Sequence, residues 1–146
     1  MRPGSIPGKN MGKTIRSLKL REDCLIVFAK EPRLGRVKTR LRTIFSDKQC
    51  LELYKAFLKD TDIIVRRASP SSLILAYDSL EAPPRYLKKI FKKYYFYKQE
   101  GANLGQRMHK AFAWAKQFGA QRIVIIGSDS PTLPEENIQN AFEALK

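Results

Sequence analysis

An unbroken apolar run, Leu25-Ile-Val-Phe-Ala29, passes directly into a loop crowded with cations. The run, begun by Cys24, reads as a buried strand. Lys30, Arg33, Arg36, Lys38 and Arg40 follow it, with Pro32 and Gly35 to shape the backbone. So many like charges at the end of a core strand do little for folding. They suit a polyphosphate.

The rest of the chain alternates strands and helices. Ser46 with Gln49 forms a capping box and opens a helix with an apolar face of Leu51, Tyr54, Phe57, Leu58 and Thr61. After a turn at Ser69–Ser72, residues 73–77 read as a second buried strand. Pro83 and Pro84 open a helix carrying Leu87, Ile90, Phe91 and Tyr94, and residues 94–98 form a weaker third strand. Asn103 with Gln106 caps a helix expected to turn Leu104, Met108, Ala111, Phe112 and Ala115 inward and to close near Gly119. Residues 122–126 are the fourth strand, and Pro134 takes a first helical position in the last helix. This order predicts a three-layer α/β/α fold, Rossmann-like, with a mainly parallel sheet. Ligands of such sheets bind beyond the carboxyl ends of strands, where strand order reverses. If strands one and four are neighbours, the loops Lys30–Arg40 and Gly127–Pro131 face one site.

A length of 146 residues suits one domain with a real core. The net charge of +14 favours anionic partners, without choosing among them. Specific nucleic-acid binding is not expected. Lys88, Lys89, Lys92 and Lys93 read as a solvated helix face without interleaved exposed aromatics. Two cysteines, Cys24 and Cys50, read as buried small hydrophobes, and His109 has no Cys or second His beside it to bind zinc. No apolar run approaches the roughly 20 residues of a membrane span, so a cytoplasmic protein is expected. Residues 1–23 read as a flexible basic extension before a domain over 24–146. Within it Gly8-Lys-Asn-Met-Gly12-Lys-Thr14 imitates a P-loop, but the spacing is short and no strand precedes it.

Three segments carry candidate chemistry. In Lys30–Arg40, arginines can grip phosphate oxygens in pairs, and Gly35 lets backbone amides approach an anion. In Gly127-Ser-Asp-Ser-Pro131, Asp129 could ligate Mg2+ or Mn2+, which also borrow phosphate oxygens; equally, it could cap a turn. In Gln99–Met108, Gly101 and Gly105 flank a helix start that could hold an anion, with Arg107 in reach, or could simply connect strand to helix.

Together, Phe28-Ala-Lys-Glu-Pro-Arg-Leu-Gly-Arg-Val-Lys-Thr-Arg-Leu41, Gly101-Ala-Asn-Leu-Gly-Gln-Arg-Met108 and Ile126-Gly-Ser-Asp-Ser-Pro-Thr-Leu-Pro134 resemble the radical-SAM/selenodomain-associated glycosyltransferases. These belong to the nucleotide-diphospho-sugar transferase superfamily with the GT-A fold, in which guanylyltransferases are more distant relatives. The resemblance covers residues 24–146. It implies that Lys30, Gly35, Arg36, Lys38, Thr39 and Arg40 hold the phosphates or base of a nucleotide or nucleotide-sugar donor. It further implies that Gly101, Leu104, Gly105 and Arg107 line the same pocket, and that Asp129 binds the metal. Family members continue into an Asp-Gly-Gly-Tyr segment on the acceptor side, and this sequence stops at Lys146 before it. The expectation is therefore a donor half, with the acceptor and the catalytic base unidentified and a sheet edge open to self-association. A guanylyltransferase-like nucleotidyltransferase and a truncated, non-catalytic nucleotide-binding remnant are the alternatives.

Overall fold

In the computed structural model the described residues are 18–37, 39–80, 84–128 and 133–146. Four strands, β1 (Asp23–Lys30), β2 (Ser72–Asp78), β3 (Tyr95–Lys98) and β4 (Arg122–Gly127), form a parallel sheet in the order β3-β2-β1-β4. The chain steps outward from β1 to β3, then returns to place β4 on the other side of β1. Strand order reverses there, as expected. β1 holds the centre because its apolar residues are buried on both faces.

The helices are α1 (Asp47–Ala68), α2 (Arg85–Ile90), α3 (Leu104–Gln117) and α4 (Glu135–Ala144). Leu25 and Val27 pack on one side against Tyr54, Leu58 and Val65 of α1, Leu87 of α2, and Ile138 and Phe142 of α4. Ile26, Ile74 and Ala76 point the other way, onto Ala111, Trp114 and Ala115 of α3. These two cores make the three layers. Each fully buried Leu, Ile or Val contributes about 1.5–3 kcal/mol, so the alternation of β1 fixes both helix layers at once.

The capping box of α1 is formed as expected: Gln49 N donates to Ser46 Oγ at 3.1 Å and Ser46 N to Gln49 Oε1 at 2.9 Å. Ser69 ends that helix in the left-handed region at φ 53°. No described helix is long and apolar enough to cross a membrane.

Four expectations need correction. The periodicity through Tyr94 does not extend the Pro83/Pro84 helix, because α2 stops at Ile90 and Lys93 takes a positive φ of 68°. Phe91 and Tyr94 are still buried, but from a turn, where their rings meet edge to face at 5.1 Å. The buried stripe of α3 is rotated toward Trp114. Ala111 and Ala115 allow close approach to the sheet, and Trp114 stacks beside Tyr97 and Phe118, which leaves Leu104, Met108 and Phe112 exposed. Pro134 is the N-cap of α4 and not its first helical residue.

Last, the packed chain begins before Cys24. Leu18 and Leu20 are buried in the α3-side core, Leu20 N donates to Phe118 O at 2.7 Å, and Arg21 N donates to Ser72 Oγ at 2.7 Å. The P-loop-like segment lies outside the described residues.

Candidate functional site

The carboxyl ends of the four strands stand in a row. Lys30 of β1 is in register with Asp78 of β2, and Phe28 of β1 with Gly127 of β4. Gln99, just past β3, donates its N–H to Tyr77 O at 2.9 Å. Above this row lies a cleft of about 510 Å³, lined on the loop side by Lys30, Arg36 and Arg40 and on the far side by Asp78, Gln99 and Arg107. Leu104 forms part of its wall, and Gly127 and Ser128 its β4 end. The row runs from Gln99 and Asp78, past Lys30, to Gly127.

Local chemistry explains how the basic loop faces the cleft. Tyr54 reaches up from α1, and its hydroxyl accepts from Lys30 N at 2.8 Å and donates to Lys30 O at 2.7 Å. Glu31 turns inward and is buried. Its carboxylate accepts from Tyr86 N at 2.8 Å and Leu87 N at 3.0 Å, two amides at the start of α2. Val37 is buried beneath the loop. With Glu31 and Val37 anchoring the backbone, Arg36 and Arg40 are turned to the cleft.

Gly35 takes φ 75°, which favours glycine, and its carbonyl accepts from Arg42 Nη2 at 2.8 Å. Arg42 Nε also pairs with Asp47 at 2.9 Å, so this arginine braces the loop. Among the described residues, the side chains of Lys30, Arg36 and Arg40 have no hydrogen-bond or ion-pair partner. Cations crowded together without a described ion-pair partner repel one another, and an anion between them relieves that repulsion.

The opposite wall is built differently. Arg107 Nε donates to Gly101 O at 3.1 Å, Nη1 donates to Gln99 Oε1 at 3.3 Å, and Nη1 lies 3.4 Å from Asp78 Oδ2. Gln99 Nε2 in turn donates to Ala76 O at 2.9 Å. Gly101 has φ 142°, and a Cβ there would lie 2.9 Å from Arg107 N, so only glycine lets the turn close against α3. Asn103 Oδ1 caps α3 by accepting from Gln106 N at 2.9 Å.

Of the residues expected from the sequence, Lys30, Arg36, Arg40, Leu104 and Arg107 line the cleft. Gly35 and Gly101 shape its walls from behind, and Gly105 sits in the first turn of α3 outside the lining. Thr39 opens a short 3-10 turn over Thr39–Leu41. Lys38 and Asp129 lie outside the described residues. His109 lies away from the cleft. Sequence reasoning missed Asp78, and took Gln99 as the start of the Gln99–Met108 segment without naming it as a lining residue. Each is the residue that ends or directly follows a buried strand, and reading every strand end alike would have found both.

A divalent ion bound with a nucleotide needs one or two carboxylates. Among the described residues only Asp78 brings a carboxylate to the cleft, beside Arg107, and no three His, Cys, Asp or Glu side chains come together as ligands. The described residues alone therefore make no metal centre.

A protein-family model matches residues 62–146, more than half of the sequence. The chain belongs to the DUF2064 family. That family is described as uncharacterized protein conserved in bacteria. No protein of curated function matches the sequence. Among solved structures, the chain is similar to the crystal structure of a putative nucleotide-diphospho-sugar transferase from Desulfovibrio desulfuricans G20. The two share 32% identity with a TM-score of 0.76, over 84% of this chain and 54% of that one. The chain thus spans about half the length of this relative, and its fold is of the nucleotide-diphospho-sugar transferase type.

Proposed function

We propose that this cleft binds the nucleoside diphosphate part of a nucleotide-sugar donor for glycosyl transfer. One observation carries the reading. Lys30, Arg36 and Arg40 converge without described counter-ions at the carboxyl ends of adjacent parallel strands, next to the open backbone of Gly127. The similarity to a putative nucleotide-diphospho-sugar transferase supports the same ligand class. The motifs quoted above further support a place among the radical-SAM/selenodomain-associated glycosyltransferases.

Lys30, Arg36 and Arg40 hold the diphosphate and neutralise the charge that grows on it as the bond to the sugar breaks. Arg40 comes from the 3-10 turn and Lys30 from the strand end, so the charges approach from two directions. We assign a divalent cation to Asp129, which follows Ser128 in the chain, and Ser128 lines the cleft. When bound, Mg2+ or Mn2+ would supply Lewis-acid stabilisation of the leaving diphosphate.

Calorimetric titration with nucleoside diphosphates, with and without Mg2+ or Mn2+, tests the reading. Binding that weakens with salt and is strengthened by the cation is expected. Absence of binding by every diphosphate under both conditions would sink it. Asp129→Ala should abolish the cation's contribution while leaving cation-free binding in place.

A further inference from the structure

Asp78 is an odd neighbour for a diphosphate. Its carboxylate is 44% exposed in the cleft, where it would repel phosphate oxygens. It is also held in place. Its backbone carbonyl accepts from Glu31 N at 2.9 Å, and its side chain lies 3.4 Å from Arg107 Nη1. Arg107 is itself fixed by Gly101 O and by a Gln99 side chain anchored to Ala76 O. Among the described residues, Arg107 Nη2 and Asp78 Oδ1 have no hydrogen-bond partner.

The wall therefore offers a fixed row: guanidinium donor, then carboxylate acceptor, then carboxylate acceptor. It stands at the β2–β3 side of the strand-end row, while the cationic loop rises from the end of β1. A nucleotide with its diphosphate on the loop can lay its base against that wall.

The row complements one common base edge. Guanine presents O6 as acceptor, then N1–H and the N2 amino group as donors. Arg107 can donate to O6 while the two oxygens of Asp78 accept from N1–H and N2–H. Uracil presents acceptor, donor, acceptor, so its O2 would face the second carboxylate oxygen with no proton between them. Cytosine and adenine present a donor toward Arg107 and a bare ring nitrogen toward Asp78. Those mismatches leave polar groups unpaired, which is how a site rejects the wrong ligand.

We propose that Asp78 and Arg107 read the Watson–Crick edge of guanine, making the donor of this cleft a guanine nucleotide. Gln99 is a positioning residue that holds Arg107 at the correct angle. The inference rests on the nucleotide reading above and narrows it to one base.

Titration calorimetry of the full chain with GDP, IDP, XDP, ADP, UDP and CDP tests it. GDP should bind about 10- to 100-fold more tightly than ADP, UDP or CDP, the discrimination of one good bidentate pair. IDP, which lacks the N2 amino group, should fall between. Asp78→Asn offers one acceptor and one donor, so its preference should move from GDP to XDP, whose O2 accepts where guanine's amino group donates. A merely structural Asp78 would not produce that exchange.

UDP or ADP binding as tightly as GDP would overturn the guanine assignment and leave the nucleotide site standing. So would an Asp78→Asn variant that weakens all six ligands equally, which would mark a general binding role. Failure of all six to bind would remove the nucleotide reading itself, and this inference with it.

Discussion

The two walls of the cleft are both polar, yet they are built in opposite ways. On the β2–β3 side, Arg107, Asp78 and Gln99 hold one another, and Gln99 is tied to the sheet through Ala76 O. On the β1 side the backbone is anchored, by Tyr54 beneath Lys30 and by Glu31 on α2, while the cationic side chains stand without described partners. A wall that discriminates must be fixed before the ligand arrives, because a wrong pattern is rejected only if the donors cannot turn away. A wall that binds phosphate needs charge at roughly the right place, since charge attracts from any direction.

The largest expected effect tests the fixed wall. Gly101→Val forces a side chain into a φ of 142° and against Arg107 N. Denaturant titration should show a loss of about 2–3 kcal/mol in stability. An unchanged midpoint would mean that the turn is free to relax and the wall is not rigid. The charged wall should respond in the other way. Arg36→Ala combined with Arg40→Ala should weaken diphosphate binding about 10- to 100-fold through lost charge-assisted hydrogen bonds, and flatten its salt dependence. Stability should move by no more than about 0.5 kcal/mol. A large stability loss in that double variant would show that these arginines are structural, and the contrast would collapse.

Tyr54→Phe separates anchor from charge. It removes the hydroxyl that both accepts from and donates to the Lys30 backbone, and should cost about 1–2 kcal/mol in thermal or chemical unfolding. Diphosphate binding should fall modestly, because the cations keep their charge. A loss of binding without a loss of stability would place the hydroxyl on the ligand instead.

The smallest effect lies away from both walls. Cys24, at the start of β1, is pushed from 9.0 up to about 12 by burial, and Tyr94 is pushed up by burial and by Asp62. Both groups are neutral in the fold and ionise more readily when unfolded. Their contribution is complete below about pH 9 and fades as pH rises from there toward 12. The unfolding midpoint should decline across that window, less steeply in Cys24→Ala. A midpoint that is flat from pH 9 to 12 would contradict this account.

Much of the fold was legible because hydrophobic period and caps are local. Leu25–Ala29, the Ser46/Gln49 box and the Asn103 cap each carry their instruction within a few residues. The lining of the cleft was legible where cations are concentrated in one segment, as in Lys30–Arg40. It was hidden where chemistry is spread. Asp78 sits singly in unremarkable surroundings, and only the sheet brings it beside Gln99 and Arg107. The inward face of α3 was misread for a related reason. Leu104, Met108 and Phe112 are as apolar as a core stripe, but the close approach of Ala111 and Ala115 to the sheet decides which side is covered.

The sequence by itself determined that β1 would be buried, that helices would alternate with strands, and that a cationic loop would emerge from a core strand. Those follow from the side chains and their spacing. The tertiary structure decided that β4 returns to the side of β1, that Glu31 serves a helix and not a ligand, and that an aspartate from the end of β2 joins a glutamine and an arginine of the Gln99–Met108 segment in one wall. Pairing across a sheet joins residues far apart in the chain, and no local pattern records where the far partner will be.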